Sequence, residues 1–329
     1  MGDIVITGGA GFIGSAIVCE LNKRGVDNIL IVDELGCDER WRNLVNLRFA
    51  DFVHKDDFIS TIQLGDWTEK IDGIIHMGAC TDTTETDADF LMWNNYEYTK
   101  IIAQWCVSNN KRLVYASSGA TYGDGSQGFS DDHKNLHKLK PLNMYAYSKH
   151  LFDLWALRNN ILDKIAGIKY FNVYGPNEYH KGEMRSVIHK AFEQIRATGK
   201  MKLFKSYNPK FADGAQKRDF VYVKDVVDMT IFLYNNPHLN GIFNCGMGKA
   251  HTFYEVVESV FMAVGKNIYI EYIDMPVNIR EKYQYFTEAE MEKIREAGYE
   301  HRFQPIESAI CDYVKNYLMS EDRYLNPEE

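Results

Sequence analysis

The chain is short of several things. Its six cysteines (Cys19, Cys37, Cys80, Cys106, Cys245 and Cys311) are scattered, with no C-x-x-C pair and no Cys/His group at metal-ligand spacing. Neither a disulfide framework nor a zinc module is expected, and no metal is assigned. Only seven prolines occur in 329 residues, and no low-complexity tract interrupts a composition of 45% hydrophobic and 25% charged residues; a disordered or fibrous chain is excluded. No uncharged apolar run approaches the roughly 18 residues that a membrane helix needs. The opening GDIVITGG also lacks the regions of a secretory leader, so a cytoplasmic, reduced protein is expected. Basic residues are in deficit, 37 Lys and Arg against 46 Asp and Glu, for a net charge of −9. That disfavours nucleic acid and anionic membranes as partners and leaves a small-molecule substrate.

What is present is a regular alternation. The short β-branched runs DIVIT (3–7), NILIVD (28–33), DGIIHM (72–77), KRLVYAS (111–117) and IAGIKYF (165–171) read as buried strands. Between them, GFIGSAIVCELNKRG and the segments 85–109 and 145–160 carry apolar residues at helical spacing. Strand and helix in alternation predict an α/β fold, a Rossmann-type doubly wound parallel sheet, with ligands at the carboxyl ends of its strands. The length exceeds what one core commonly serves, so a second, smaller lobe is expected.

After the first strand comes TGGAGFIG, residues 7–14, whose glycines fall as G-x-x-G-x-x-G at Gly8, Gly11 and Gly14. Bare backbone there permits a tight turn, brings N–H groups to a pyrophosphate and lets the next helix pack closely. Asp33 ends the second strand, where a ribose hydroxyl would lie, which favours NAD. Arg40, Arg42 and Lys55 follow and suit a 2′-phosphate. On these residues alone NAD and NADP both stand.

The pattern Y-x-x-x-K occurs twice, as YEYTK (96–100) and YAYSK (145–149), each putting Tyr and Lys on one helical face. Only the second has a strand-end hydroxyl pair, Ser117 and Ser118, about 27 residues upstream. Tyr145 with Lys149 and Ser118 is therefore the expected acid/base group, since a neighbouring ammonium favours the phenolate. Tyr96 and Tyr98 are expected to pack, as is Tyr147; Asn94 and Asn95, just before the first copy, are expected to bond a strand-end backbone or the nicotinamide ribose, Asn94 first.

TGxxGxxG, SSxxTYG and YxxxK together resemble the extended, nucleotide-sugar-modifying branch of the short-chain dehydrogenase/reductase superfamily. The segments GACTDTTE, KPLNMYAYSK, FNVYGPNEYHKG, QKRDFVYVKDVVD, GIFNCGMGKAHTF and YQYFTEAE extend the resemblance over nearly the whole chain, and specifically to the ADP-glyceromanno-heptose 6-epimerases. That resemblance implies a homo-oligomer, often a pentamer, acting on ADP-heptose for lipopolysaccharide precursors. It implies Lys181, in HKG, as a second acid/base opposite Tyr145, and NADP over NAD. The cofactor would be held by the glycine turn with Phe12 and Ile13, by Asp33, Glu34, Arg40 and Lys55 at its adenosine end, and by Met77, Gly78, Ala79, Cys80 and Thr81. Asn94, Lys149, Val173 and Lys181 would complete its site. Asn172, Glu183, Lys190, Arg218 and Tyr283 would meet the ADP-sugar, with Phe204, Lys205, Ser206 and Tyr207 at its nucleotide end. Residues 1–171, with 218–247 returning, would form the dinucleotide-binding domain, and 172–217 with 248–329 a discontinuous substrate-binding domain.

The chain departs from the family pattern at Met77, Glu34, Glu183 and Lys190, and 206–217 is longer than usual. A 4,6-dehydratase would want an Asp-Glu pair near Ser118, which is missing; a UDP-sugar 4-epimerase would have no role for Lys181. A cofactor-binding protein with a silent site is the reading from another class, against which the intact Ser118, Tyr145, Lys149 and Lys181 argue.

Overall fold

The computed structural model describes residues 2–280 and 283–328. Six strands come first: β1 (Asp3–Thr7), β2 (Ile29–Asp33), β3 (Asp51–His54), β4 (Ile71–His76), β5 (Arg112–Ser118) and β6 (Ala166–Tyr170). They are followed by β7 (Asn172–Tyr174), β8 (Met201–Phe204), β9 (Lys217–Arg218), β10 (Phe220–Tyr222), β11 (Gly241–Cys245), β12 (His251–Thr252) and β13 (Ile270–Ile273). Seven form one parallel sheet in the order β11-β6-β5-β4-β1-β2-β3. The chain runs outward from β1 through β2 to β3, then returns to the other side of β1 as β4. The order reverses between β1 and β4, so the crevice for a ligand opens at their carboxyl ends.

Helices cover both faces, so the central strands are largely buried; all five residues of β2 are buried, which is why NILIVD shows no polar alternation. The expected strands fall within a residue of those observed. Two members of the sheet escaped: β3, an edge strand whose DFVH is partly exposed, and β11, whose GIFNC follows a short loop. The three short pairs β7–β10, β8–β13 and β9–β12 stand apart from the main sheet. The expected helix over 85–109 is broken. Ala88–Leu91 and Tyr98–Ser108 are α-helical and flank a π-helical turn at Met92–Glu97, a deviation that tends to mark functional positions.

A buried chain of hydrogen bonds ties β1 to β4 below the crevice. The Gly78 N–H donates to Thr7 Oγ1 (3.1 Å), which lies 2.6 Å from His76 Nδ1; His76 Nε2 is 2.9 Å from Thr99 Oγ1, and Thr99 donates to the Asn95 carbonyl (2.6 Å). Thr99 has a single proton, already given to Asn95, so His76 donates from Nε2 and accepts from Thr7 at Nδ1. Burial holds His76 neutral, its pKa pushed down to about 3. An unfolded chain binds that proton from about pH 6.5 downward while the folded chain refuses it. Unfolding free energy should therefore fall as pH drops from 6.5 toward 3, by at most about 1.4 kcal/mol per pH unit from this group. Urea titrations should show a shallower acid slope in His76→Gln than in the wild type.

Candidate active site

The glycine turn sits at the head of the crevice. Gly8 has φ +65°, and a side chain on it would come within 2.6 Å of the Gly78 nitrogen; one on Gly14 would overlap the Gly8 carbonyl oxygen. Helix Phe12–Lys23 begins at Gly11 with no side-chain cap and no acid in its first turn. Its leading N–H groups and the positive end of its dipole are thus left for an anion. A bare-backbone cradle of this kind fits the pyrophosphate of a dinucleotide.

Asp33 closes the turn from below. Its carboxylate accepts from the Ala10 N–H (2.9 Å) and the Glu34 N–H (2.7 Å), and burial raises its pKa against those donors. The cations expected at the adenosine end are already matched. Arg40 bonds Asp38 through Nε and Nη2 (2.9 and 2.7 Å) and stands 3.7 Å from Asp33, and Lys55 pairs with Glu34 at 2.5 Å. Arg42 pairs with Glu39 and joins neither.

Beyond the floor of β4, Met77, Gly78, Ala79 and Cys80 line the crevice half-buried, with Thr81 exposed. Of the two asparagines on the π-helical turn, Asn95 is the clamp. Fully buried, it accepts from the Cys80 N–H (2.9 Å) and donates to the Cys80 carbonyl (3.0 Å) and to Ser148 Oγ (3.1 Å). Ser148 in turn donates to the Tyr145 carbonyl (2.7 Å). Asn94 instead accepts from Lys55 (3.3 Å) and bonds Asn95. The first Tyr/Lys copy packs: Tyr98 donates to the Lys55 carbonyl and stacks on His76, while Lys100 pairs with Glu97 over Tyr96.

The second copy opens helix Met144–Arg158, capped by Asn143. Tyr145 is half-buried; burial raises the phenol's pKa and the hydroxyl of Ser118 pulls it back. Lys149 is buried, donates to the Ala116 carbonyl (2.9 Å), and is lowered to about 8 by desolvation. Tyr147, one face over, is exposed. Behind this group lies a feature that sequence reasoning missed. Asp153 and Lys169, neither exposed at all, pair at 2.9 Å, and Asp153 also accepts from Tyr115 and Ser117 while Lys169 bonds Thr121. Its only outward signal was charge at buried positions: Asp153 one helical turn past Lys149, and Lys169 inside a strand.

Lys181 lies on a 3₁₀ turn, Tyr179–Met184, with Gly182 at φ +52° beside it. Its ammonium stands 5.5 Å from the ring centroid of Phe12, the first side chain after the glycine turn. Burial lowers its pKa, and the buried carboxylate of Glu178 opposes the fall.

On β9, Arg218 is 7% exposed, packs over the rings of Tyr283 and Phe253, donates to the Lys217 carbonyl (3.0 Å), and has no carboxylate partner among the described residues. Desolvation lowers it to about 10. A buried cation with no counter-ion is costly to desolvate. Tyr207 continues the strip: Arg280 covers its ring at 3.8 Å, its hydroxyl bonds Asp274, and its N–H donates to the Tyr285 hydroxyl. Lys205 shares Asp274, with half-buried Phe204 and Ser206 on either side. Asn172 and Val173 reach the crevice from β7, the former exposed. Glu183 and Lys190 instead pair with each other at 3.2 Å, the Glu183 side chain 94% exposed. The two departures from the family pattern thus form one ion pair at the surface.

A parallel sheet with a glycine turn at its switch point, a Ser–Tyr–Lys group and an uncapped helix end define an enzyme built on a nicotinamide dinucleotide. The NAD dependent epimerase/dehydratase family model matches residues 4–246, and the chain belongs to that family. Within it the chain falls among the ADP-L-glycero-D-manno-heptose-6-epimerases. The protein of that name from Nitratidesulfovibrio vulgaris (strain DP4) is 54% identical over 98% of this chain and 99% of its own length, and that from Fusobacterium nucleatum is 46% identical over 98% and 100%. Among solved structures, the Helicobacter pylori ADP-L-glycero-D-manno-heptose-6-epimerase superposes with a TM-score of 0.78 at 25% identity, covering 96% of each chain. The Thermus thermophilus UDP-glucose 4-epimerase in complex with NAD superposes with a TM-score of 0.75 at 25% identity, over 94% of this chain and 98% of that one.

The pairing of Lys55 with Glu34 makes a prediction about the adenosine end. Glu34→Gln removes one half-exposed carboxylate and frees the ammonium, so affinity for NADP relative to NAD should rise roughly three- to tenfold, the scale of one screened charged contact. Quenching of tryptophan fluorescence by each dinucleotide measures the ratio; an unchanged ratio would place the 2′-phosphate elsewhere.

Proposed function

We propose that the chain inverts C6 of ADP-glycero-manno-heptose, D-glycero to L-glycero, through a 6-keto intermediate, with Tyr145 and Lys181 as acid/base groups on opposite faces of the sugar. The bound dinucleotide supplies the acceptor, and then the donor, of the two electrons and hydrogen that leave and return to C6. One base takes the C6 hydroxyl proton as that hydrogen departs, which leaves the ketone. When the hydrogen returns to the other face, an acid gives the proton back to the oxygen, so the net reaction consumes nothing. Inversion requires the ketone to present both faces, and acid/base groups on two sides of the sugar serve that requirement.

The seat of Lys181 over Phe12 carries the reading. It sets a second, desolvated amine beside the glycine turn, while Ser118 ends β5 with the Tyr145 phenol bonded to its hydroxyl. Ser118 orients the reacting oxygen, and Lys149 holds positive charge beside the phenol and positions the ribose. Arg218 receives the pyrophosphate of the substrate, with Tyr283 and Tyr207 along its nucleotide end and Asn172 at the sugar. NADP is the dinucleotide we assign; Arg40 and Lys55 would hold its 2′-phosphate in competition with Asp38 and Glu34. Residues 1–171 and 218–247 make the cofactor domain and 172–217 with 248–329 the substrate domain; β11 lying beside β6 supports that return. A cytoplasmic homo-oligomer, by family a pentamer, completes the reading. Phe90, Trp93 and Tyr147, exposed on neighbouring helices, support self-association.

Incubation with ADP-D-glycero-β-D-manno-heptose, followed by NMR of the product, tests the assignment: the L-glycero epimer should accumulate, and unchanged substrate with turnover of a UDP-hexose would refute it. Lys181→Met should lose at least 100-fold in kcat with the dinucleotide still bound. The alkaline side of the rate profile follows from Lys149. Above about pH 8 its ammonium is lost and the phenolate loses its support. Turnover should fall there, and the fall should vanish from the activity that remains in Lys149→Arg, which stays charged.

A further inference from the structure

We infer that Asn43 is a positioning residue for this reaction, its buried side-chain amide joining the glycine turn to the turn that carries Lys181. The inference rests on the reading of Lys181 as the second acid/base. Asn43 lies in the 3₁₀ helix Glu39–Leu44, well outside both turns in sequence, and is 1% exposed. Its Nδ2 donates to the Ala10 carbonyl (2.9 Å) and to the Asn177 carbonyl (3.1 Å), and stands 3.3 Å from His180 Nδ1. An amide has two protons, and both carbonyls are served. Burial keeps His180 neutral, at about 4, so its ring nitrogen brings no competing charge to the contact. Lys181 is the next residue.

The same turn is bolted a second time. Asn177, in the left-handed region at φ +75°, donates to Ser15 Oγ (2.9 Å) and accepts from the Leu325 N–H (3.0 Å). Ser15 in turn donates to the Phe12 carbonyl (3.2 Å). Glu178 closes the base of the turn on Ser186. Ala10 itself is held by Asp33. A continuous set of hydrogen bonds therefore runs from Asp33 through Ala10 and Asn43 to the Asn177 carbonyl, four residues before Lys181, with the Asn43 amide also against the ring of His180. A misplacement of an acid/base group by about 1 Å costs on the order of 100-fold in rate, so a device that sets Lys181 against the cofactor turn acts on kcat rather than on binding.

A purely structural amide would behave differently, and the holoenzyme can tell the two apart. Asn43→Ala should lower kcat at least tenfold while KM and the dissociation constant for NADP change less than threefold. In a Lys181→Met background the same substitution should make no further difference, because the group it positions is gone. Asn43→Asp, which aims a carboxylate at two carbonyl oxygens, should lose more than Asn43→Ala. Equal losses in both backgrounds, or a cofactor affinity that falls in step with kcat, would overturn the inference. If Asn43→Ala does not fold, Asn177→Gly keeps the left-handed backbone and cuts the tie to Ser15; it should lose kcat selectively, and full activity in it would count against the coupling. Hydrogen exchange separates this idea from the functional reading, since it needs no turnover. NADP should slow exchange across 177–184 in the wild type and not in Asn43→Ala, and equal protection in both would refute the link even where the sugar is epimerised.

Discussion

The contact on which the rest depends is one of backbone with backbone. Gly8 turns at positive φ so close to Gly78 that no side chain fits, and Gly14 presses against the carbonyl of Gly8. Glycines at two strand ends and a third in the first turn of the helix let β1 and β4 meet at the switch point and let helix Phe12–Lys23 start flush against the sheet. The oriented chain Gly78–Thr7–His76–Thr99–Asn95 then fastens the two strand ends to the π-helical turn. Any Cβ at Gly8 or Gly14 would push the helix outward and withdraw the free N–H groups from the anion they serve.

Desolvation is the second theme. Tyr145, Lys149, Lys181 and Arg218 all stand where water is scarce, and in each the charged form is disfavoured. For acid/base groups this is useful, because it brings an amine down toward the working pH. For Arg218 it makes the site more demanding of an anion. The buried pair Asp153–Lys169 is different in kind: two charges that satisfy each other and three neighbouring hydroxyl or phenol groups, with the ring of Tyr122 under the ammonium, one helical turn from Lys149. It gives the floor under the acid/base group a fixed arrangement, since neither charge tolerates the loss of the other.

Glu183 and Lys190, seven residues apart in sequence, neutralise each other at the surface. The cations Arg40 and Lys55 look free in the sequence and are each met by an acid in the fold.

The amino-acid order alone determined the parallel sheet, because unbroken β-branched runs alternating with helical spacing admit few other architectures. It also determined the glycine turn and which Tyr/Lys copy sits beside a strand-end serine, since those features are local or repeat at short range. β3 and β11 escaped because an edge strand and a late returning strand carry weak periodicity. Asn95 over Asn94, Asn43, and the Asp153–Lys169 pair were decided by the tertiary structure. Each acts by hydrogen bonds to groups 15 to 134 residues away, and a polar side chain that serves a distant backbone looks, in sequence, like any other polar residue on a turn or helix.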